Sequence, residues 1–471
     1  MTLLMLLEMI AGAFGDRLAI GSLTDGITYQ QLLDRAAAGA ALIRSRGAQH
    51  VAYIGPSDVG FPVALFACAW AGVPLIPLNY RLSQEQLAAL LAKHDDTLVI
   101  GDGGISVEEW DELTAVEGAS FSTDASVTDS DDVAVLLYTS GTTSEPKAVV
   151  LRHRHLASYV ITSVEFACAE ETDATLVSVP PYHVAGVANV LSNVYAARRL
   201  VYLPNFTPES WLETVRDEGI TNAMVVPTML ARVVDCLDAA DGDANTPTLR
   251  ALAYGGARMP ITVLERALLA FPDTDFVNAY GLTETSSTIA VLGPDDHRDK
   301  SKIGSVGRLV PGIEIDIRDG EIFVRGEQVS GEYLGHGASV DGDGWFATRD
   351  RGWVDADGYL FIEGRSDDTI IRGGENIAPA EVEDALLQHP AVQACAVVGL
   401  PDDEWGQRIA AAVVLRPSAS TDAEELREFA RTKLRTSKTP DVIAFRDSLP
   451  HTETGKLLRR LVLEDLVQSL S

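Results

Sequence analysis

The sequence predicts an α/β fold: a large N-terminal domain of parallel-rich sheets flanked by helices plus a small β unit, then a small α+β C-terminal domain. Three observations carry this. A chain of 471 residues exceeds what one hydrophobic core supports, so two or more domains are expected. Helix-period segments alternate with short β-branched runs through most of the first ~300 residues, the pattern of βα units on a largely parallel sheet. Past that point the pattern changes twice, first to closely spaced strands and then to a fresh α+β unit.

The first segment, "MTLLMLLEMIAGAFGDRLAI", lacks a basic n-region and carries Glu8 inside its apolar stretch. It therefore reads as an amphipathic helix ending near Gly12 to Gly15 and not as a signal peptide. "ITYQQLLDRAAAGAALIRSRG" is a helix closed by Gly47, and "HVAYIG" is the strand after it. The apolar run from Phe61 to Leu78 contains Pro62, Gly72, Pro74 and Pro77, so it is a buried helix followed by a strand, not a membrane span. Val133 to Tyr138 and Ala148 to Leu151 are β-branched runs around a polar loop, giving strand, loop, strand. Between Gly304 and Glu363, "IEIDIRD", "EIFVRG" and "GYLFIEG" are separated by Gly and Asp turns and form a small antiparallel β unit. Beyond Arg365 come strand "TIIRGG", a helix from Ala380, strands "VQACAVVGL" and "RIAAAVVL", and helix "TDAEELREFARTKL". The expected division is 1–364, a connecting segment 365–368, and a domain 369–471 of ordinary size.

Composition limits the function. The net charge of −31 argues against nucleic acid as a general partner, yet does not exclude a nucleotide, which needs only local donors and a metal ion. Cys68, Cys168, Cys236 and Cys395 lie far apart with no C-x-x-C pair. That fits free thiols in a reducing, cytoplasmic setting and offers no structural zinc site. No integral membrane segment is expected, and the assembly is expected to be a monomer or homodimer.

The loop "TSGTTSEPK", Thr139 to Lys147, presents hydroxyls, backbone donors and one point charge, a set suited to a polyphosphate. It is not a Walker A loop: Pro146 precedes its Lys, Ala148 follows it, and a strand stands where a helix would. "YGGARMP" (254–260) puts Gly255 and Gly256 after a strand, where missing side chains let a flat ring approach. "FVNAYGLTETSS" (276–287) brings an aromatic face, a hydroxyl and a carboxylate, Tyr280, Thr283 and Glu284, to a strand end. Asp350 and Arg365, within "WFATRDRGWVDADGYLFIEGRSDD", could clamp a ribose diol. "IIRGGENIAPAEVE" has a Gly pair before a helix, and "LPHTETGKLLRR" ends in Lys456 on a polar turn. Alone, each is an ordinary turn, core residue or surface pair.

Together and in this order, the six segments resemble the adenylate-forming superfamily of acyl-CoA synthetases, peptide-synthetase adenylation domains and luciferases, over nearly the whole chain. The resemblance implies an AMP-forming acid–thiol ligase with a mobile C-terminal domain, using ATP, Mg²⁺ and coenzyme A. A carboxylic acid attacks the α-phosphate, releasing pyrophosphate, and a thiol then displaces AMP. By the same resemblance Thr139, Ser140, Gly141, Thr142, Thr143 and Lys147 form the phosphate loop. Gly255, Gly256, Ala257, Asn278, Ala279 and Gly281 line the adenine, with Tyr280 stacked on it. Thr283 and Glu284 serve the metal and phosphates, Asp350 and Arg365 hold the ribose, and Lys456 bridges carboxylate and α-phosphate. Asp367 is the hinge, and Arg372, Gly373 and Gly374 border the coenzyme A path. Two glycines usual in the phosphate loop are replaced by Ser144 and Ala148, and Arg349 stands where Gly is common.

"VPPYHVAGVANVLSNV" (179–194) resembles the acyl-pocket segment, with His183 at the mouth beside Val184, Ala185, Gly186 and Ala188. A roomy, uncharged pocket favours a fatty or aryl acid, and no Asp is placed to receive an α-ammonium group. An acyl- or aryl-AMP ligase that serves a carrier-protein pantetheine or an amine is the alternative. No carrier segment follows Ser471, so a carrier is expected to act in trans.

Overall fold

The computed structural model describes residues 1–115, 128–139, 146–240, 244–452 and 457–470. Its N-terminal part holds two mixed sheets, and both keep a parallel centre with antiparallel strands at an edge. In one, Asp275–Leu282, Ala251–Gly255, Asn222–Val225, Ala174–Val177, Arg199–Tyr202 and Leu18–Ile20 run parallel in that spatial order. In the other, Val133–Thr139, Leu75–Pro77, His50–Ile54 and Thr97–Gly101 are parallel, and Lys147–Arg152 turns back antiparallel on Val133–Thr139. The strand–loop–strand reading of this hairpin is therefore correct.

Helices between and beside the sheets supply the largest core. Leu3, Leu6, Leu7 and Ile10 of the first helix (Leu3–Phe14) are fully buried, while Met1, Met5 and Met9 face solvent. The helix Tyr29–Ser45 opens on a reciprocal cap, in which Gln31 N donates to Thr28 Oγ1 and Thr28 N donates to Gln31 Oε1. Such a cap satisfies two of the amides that a helix start leaves unpaired. The apolar run from Phe61 is buried helix Gly60–Ala71, which ends at Gly72 with φ +75°, followed by strand Leu75–Pro77. Among the described residues no helix is long and apolar enough to cross a membrane.

The small β unit is a four-stranded antiparallel sheet of Glu314–Arg318, Glu321–Arg325, Phe346–Val354 and Leu360–Arg365. Its apolar face packs with Ile289, Ala290 and Tyr280 from the neighbouring sheet. After a 3₁₀ turn at Ser366–Asp368 the chain forms the hairpin Ile370–Arg372/Glu375–Ile377 and the sheet Val392–Asp402, Gly406–Leu415, Val442–Phe445. Helices Pro379–Leu387, Ala423–Lys433 and Arg459–Leu470 accompany them. Inside this C-terminal unit Arg459 pairs with the buried Glu383, and its Nη1 also donates to Val397 O at 2.9 Å. All four cysteines are free, with Cys68 and Cys395 buried.

Candidate active site

The candidate residues gather because parallel strands end together. Asn278 and Ala279 sit beside Tyr254 and Gly255 in register, so the Gly-Gly turn and the Tyr280 segment leave the sheet at the same edge. The carboxyl ends of adjacent parallel strands are where open α/β sheets bind ligands. Gly255 has a reason other than room for a flat ring. A Cβ there would lie 2.4 Å from the Ala279 carbonyl oxygen, so the glycine serves strand packing. Gly256, with φ +82° and only Val226 Cγ1 near the position of a Cβ, is the one that opens a face. Ala257 follows it, half-buried, and Gly281 is pressed against the Ser287 backbone.

Asp350 and Arg365 are cross-strand partners in the small β unit, and Arg365 Nη1 donates to Asp350 Oδ1 at 3.3 Å. Tyr280 Oη donates to Asp350 Oδ2 at 2.6 Å. Tyr280 thus aims the carboxylate as well as presenting a ring. Burial and the adjacent Asp350 charge both push the phenol well above its usual range, so it stays a donor. Asp350 itself is 5% exposed and fixed at its amide by Thr348 Oγ1.

Thr139 and Lys147 face each other across the loop base, with Thr139 Oγ1 3.4 Å from Lys147 O. Ser140, Gly141, Thr142, Thr143 and Lys456 lie outside the described residues. Thr283 and Glu284 form a 3₁₀ turn directly after the Tyr280 strand. Glu284 Oε1 accepts from Tyr333 Oη at 2.8 Å, and the Lys147 ammonium lies 5.7 Å from the centre of the Tyr333 ring. Among the described residues Glu284 Oε2 accepts no hydrogen bond. A carboxylate oxygen next to the hydroxyl-bearing Thr283 fits Mg²⁺, which takes few protein ligands and completes its shell with phosphates and water.

His183 caps the helix Val184–Tyr195, its ring 4.7 Å from that of Tyr182, which in turn meets Tyr80 edge-on at 6.0 Å. Val184 and Ala185 are half-buried. Gly186 and Ala188 are held by packing of their own. A Cβ on Gly186 would stand 2.4 Å from Pro180 O, and Ala188 packs in the main apolar core. Small size at these two places serves packing.

A cleft of about 280 Å³ opens beside this segment, lined by Ser178, Pro180, Arg81, Arg232, Met229 and His451 among others. Its walls join strand ends of the large domain to a stretch just before Lys456. Arg81 and Arg232 carry no local sequence signal, and neither does Tyr333. Tyr333 meets partners far away in the chain, which no motif records.

The Asp367 turn connects both sides of the boundary. Asp367 lies 3.9 Å from Arg349, and Asp368 3.4 Å from Arg459. Arg349 holds φ +61° where glycine would be unstrained. Arg372 is bound within the C-terminal unit, donating to Ser437 O at 2.9 Å and to Asp441 Oδ1 at 2.8 Å. Gly373 has φ +56°, and a Cβ there would strike the Trp405 ring, whereas Gly374, with φ +84°, faces open space.

The chain belongs to the AMP-binding enzyme family. The model of that family matches residues 7–340, and that of the AMP-binding enzyme C-terminal domain matches 381–456. It is 33% identical to a fatty acid–[acyl-carrier-protein] ligase, ScoC, of Streptomyces coeruleorubidus, over 92% of this chain and 90% of that protein. It is 34% identical to a feruloyl-CoA synthase of an Amycolatopsis species, over 92% of each. The solved structure of the o-succinylbenzoate coenzyme A synthetase MenE of Bacillus subtilis, in complex with ATP and magnesium ion, superposes with a TM-score of 0.83. It shares 27% identity and covers 98% of this chain and 99% of that one.

Proposed function

We propose that the protein is an ATP-dependent acid–thiol ligase that activates a fatty or aryl carboxylic acid as acyl-AMP and passes the acyl group to coenzyme A. The carrying observation is the convergence of three elements. A buried Asp350 is aimed by Tyr280 and Arg365. Glu284 Oε1 accepts from Tyr333, and among the described residues its Oε2 accepts no hydrogen bond. The Lys147 ammonium lies 5.7 Å from the centre of the Tyr333 ring that holds Glu284.

The chemistry follows from charge. The acid is already ionised at neutral pH and needs no general base. Its oxygen attacks the α-phosphorus, the bond from that phosphorus to the bridging oxygen breaks, and pyrophosphate leaves. Two anions must approach each other, so cationic donors provide most of the rate. Lys147 would face the leaving phosphates, and Lys456 would span the carboxylate and the α-phosphate. Asp350 and Arg365 would fix the ribose, and Tyr280 would cover the base beside Gly256 and Asn278. A Mg²⁺ held by Glu284 and the phosphate oxygens would neutralise charge that builds up on the phosphates. In the second step the thiol sulfur attacks the acyl carbonyl carbon, its proton passes to solvent, and AMP departs.

The segment Arg365–Asp368 is our hinge between a unit of residues 1–364 and one of 369–471. Asp367 and Asp368 face an arginine on either side of it. Rotation there would withdraw Lys456 and bring Gly374 toward the acyl group. Arg81 and Arg232 at the cleft supply positive charge suited to a phosphate-bearing thiol. Such charge favours coenzyme A and also accommodates a carrier-protein pantetheine, the acceptor class named for ScoC.

The test is a panel of fatty, aryl and amino acids with ATP, supplying coenzyme A in one arm and a phosphopantetheinylated carrier in the other. Thioester and AMP formation with a fatty or aryl acid and coenzyme A is expected. Thioester formed on the carrier alone would replace coenzyme A as acceptor, and ADP as product would overturn the adenylation reading.

A further inference from the structure

We propose that Tyr333 is a positioning residue that locks the Glu284 carboxylate and ties it to the exit of the phosphate loop. This rests on the adenylation reading above. Residues 330–334 form a crosspiece between the two segments. On one side Tyr333 pairs with Val149 in the strand leaving the loop, and Leu334 N donates to Ala148 O at 2.9 Å. Glu332 reinforces that side through its ion pair with Arg152 at 2.8 Å. On the other side Ser330 N and Gly331 N donate to Glu284 O at 2.8 and 3.3 Å, which fixes the backbone of the 3₁₀ turn.

Tyr333 then fixes the side chain. Its Oη donates to Glu284 Oε1 at 2.8 Å, so one carboxylate oxygen is engaged, while among the described residues the other accepts no hydrogen bond. Its ring meanwhile lies under Lys147, a weak electrostatic rest for the ammonium. A glutamate that must otherwise choose among rotamers is held in one before the metal arrives. Such pre-orientation by a partner behind the ligand is a usual determinant of metal affinity.

Tyr333→Phe isolates the effect, because it keeps the strand pairing and the ring beside Lys147 and deletes only Oη. ATP affinity is measured by calorimetry without acid, once with Mg²⁺ and once with EDTA. The Mg²⁺-dependent gain in affinity should fall on the order of tenfold in Tyr333→Phe, as expected for a hydrogen bond to a charged group. Affinity in EDTA should be unchanged, which also shows that the variant is folded. Glu284→Ala should lose the gain, and adding Tyr333→Phe to it should change nothing more. An unchanged gain in Tyr333→Phe, or losses that multiply in the double variant, would overturn the proposal. Acid-dependent pyrophosphate exchange by the wild-type protein separates the two readings. If it is absent, the adenylation reading falls and the proposal with it; if it is present while the Mg²⁺ gain is unmoved, only the role of Tyr333 falls.

Discussion

Tyr280→Phe removes one oxygen from the proposed ribose clamp, and its consequence can be worked from the geometry. The Oη to Asp350 Oδ2 bond is 2.6 Å, short and charge-assisted, whereas Arg365 reaches the other oxygen at 3.3 Å, the weak end of the range. Asp350 is 5% exposed, so water cannot replace the lost donor. A hydrogen bond to a charged group is worth about 1.5–3 kcal/mol. Since 1.36 kcal/mol is tenfold, an effect of about tenfold is expected at the lower end, because Arg365 remains to orient the carboxylate. The assay is AMP formation at saturating acid with MgATP varied, then repeated with 2′,3′-dideoxy-ATP. KM for MgATP should rise about tenfold, while KM for the acid stays within about twofold. With the dideoxy nucleotide, which has no diol to hold, wild type and variant should converge. A deficit of equal size on both nucleotides would refute the clamp and leave Tyr280 a packing residue.

Further outcomes follow from packing and charge. Gly186→Val should lower stability by about 1–3 kcal/mol through its collision with Pro180 O, leaving the order of preference among acids unchanged; thermal unfolding and an acid panel check both. Arg459→Met strands the buried Glu383 and should destabilise the C-terminal unit by about 3–5 kcal/mol, seen as faster hydrogen exchange in residues 379–470 than in the large domain. His153 and His155 are buried, and burial lowers both to about 4 from an ordinary 6.5. Their neutral forms accept from Leu3 N and Arg152 N. A folded value below the unfolded one gives stability that is complete above pH ~6.5 and lost as pH falls toward ~4. Denaturant unfolding should weaken by a few kcal/mol over that window, and His155→Gln should flatten part of the slope.

Elements with a clear period were legible in the sequence. The first helix, the fully apolar helix Gly60–Ala71 with its αL glycine, and the hairpin of Val133–Thr139 and Lys147–Arg152 fall where residue pattern and turn chemistry place them. Asp350 and Arg365 were legible as a pair, and the register of their strands puts them opposite one another. Tyr333 was not, because it sits on a two-residue strand and its partners are 49 and 186 positions away in the chain. The packing of Gly186 was hidden for a related reason: a glycine next to a suspected pocket and a glycine under a carbonyl look alike until the chain is folded. Arg81 and Arg232 reach the cleft only through the order of the strands.

The central claim is that the acid's own oxygen attacks the α-phosphorus. Carboxylate labelled with ¹⁸O in both oxygens, turned over with ATP and coenzyme A, tests it most directly by mass spectrometry of the products. The account predicts one ¹⁸O in the phosphate of AMP and none in pyrophosphate, because the bridging oxygen leaves with AMP when sulfur takes the acyl carbon. Label in inorganic phosphate, accompanied by ADP, would show attack at the γ-phosphorus and contradict it.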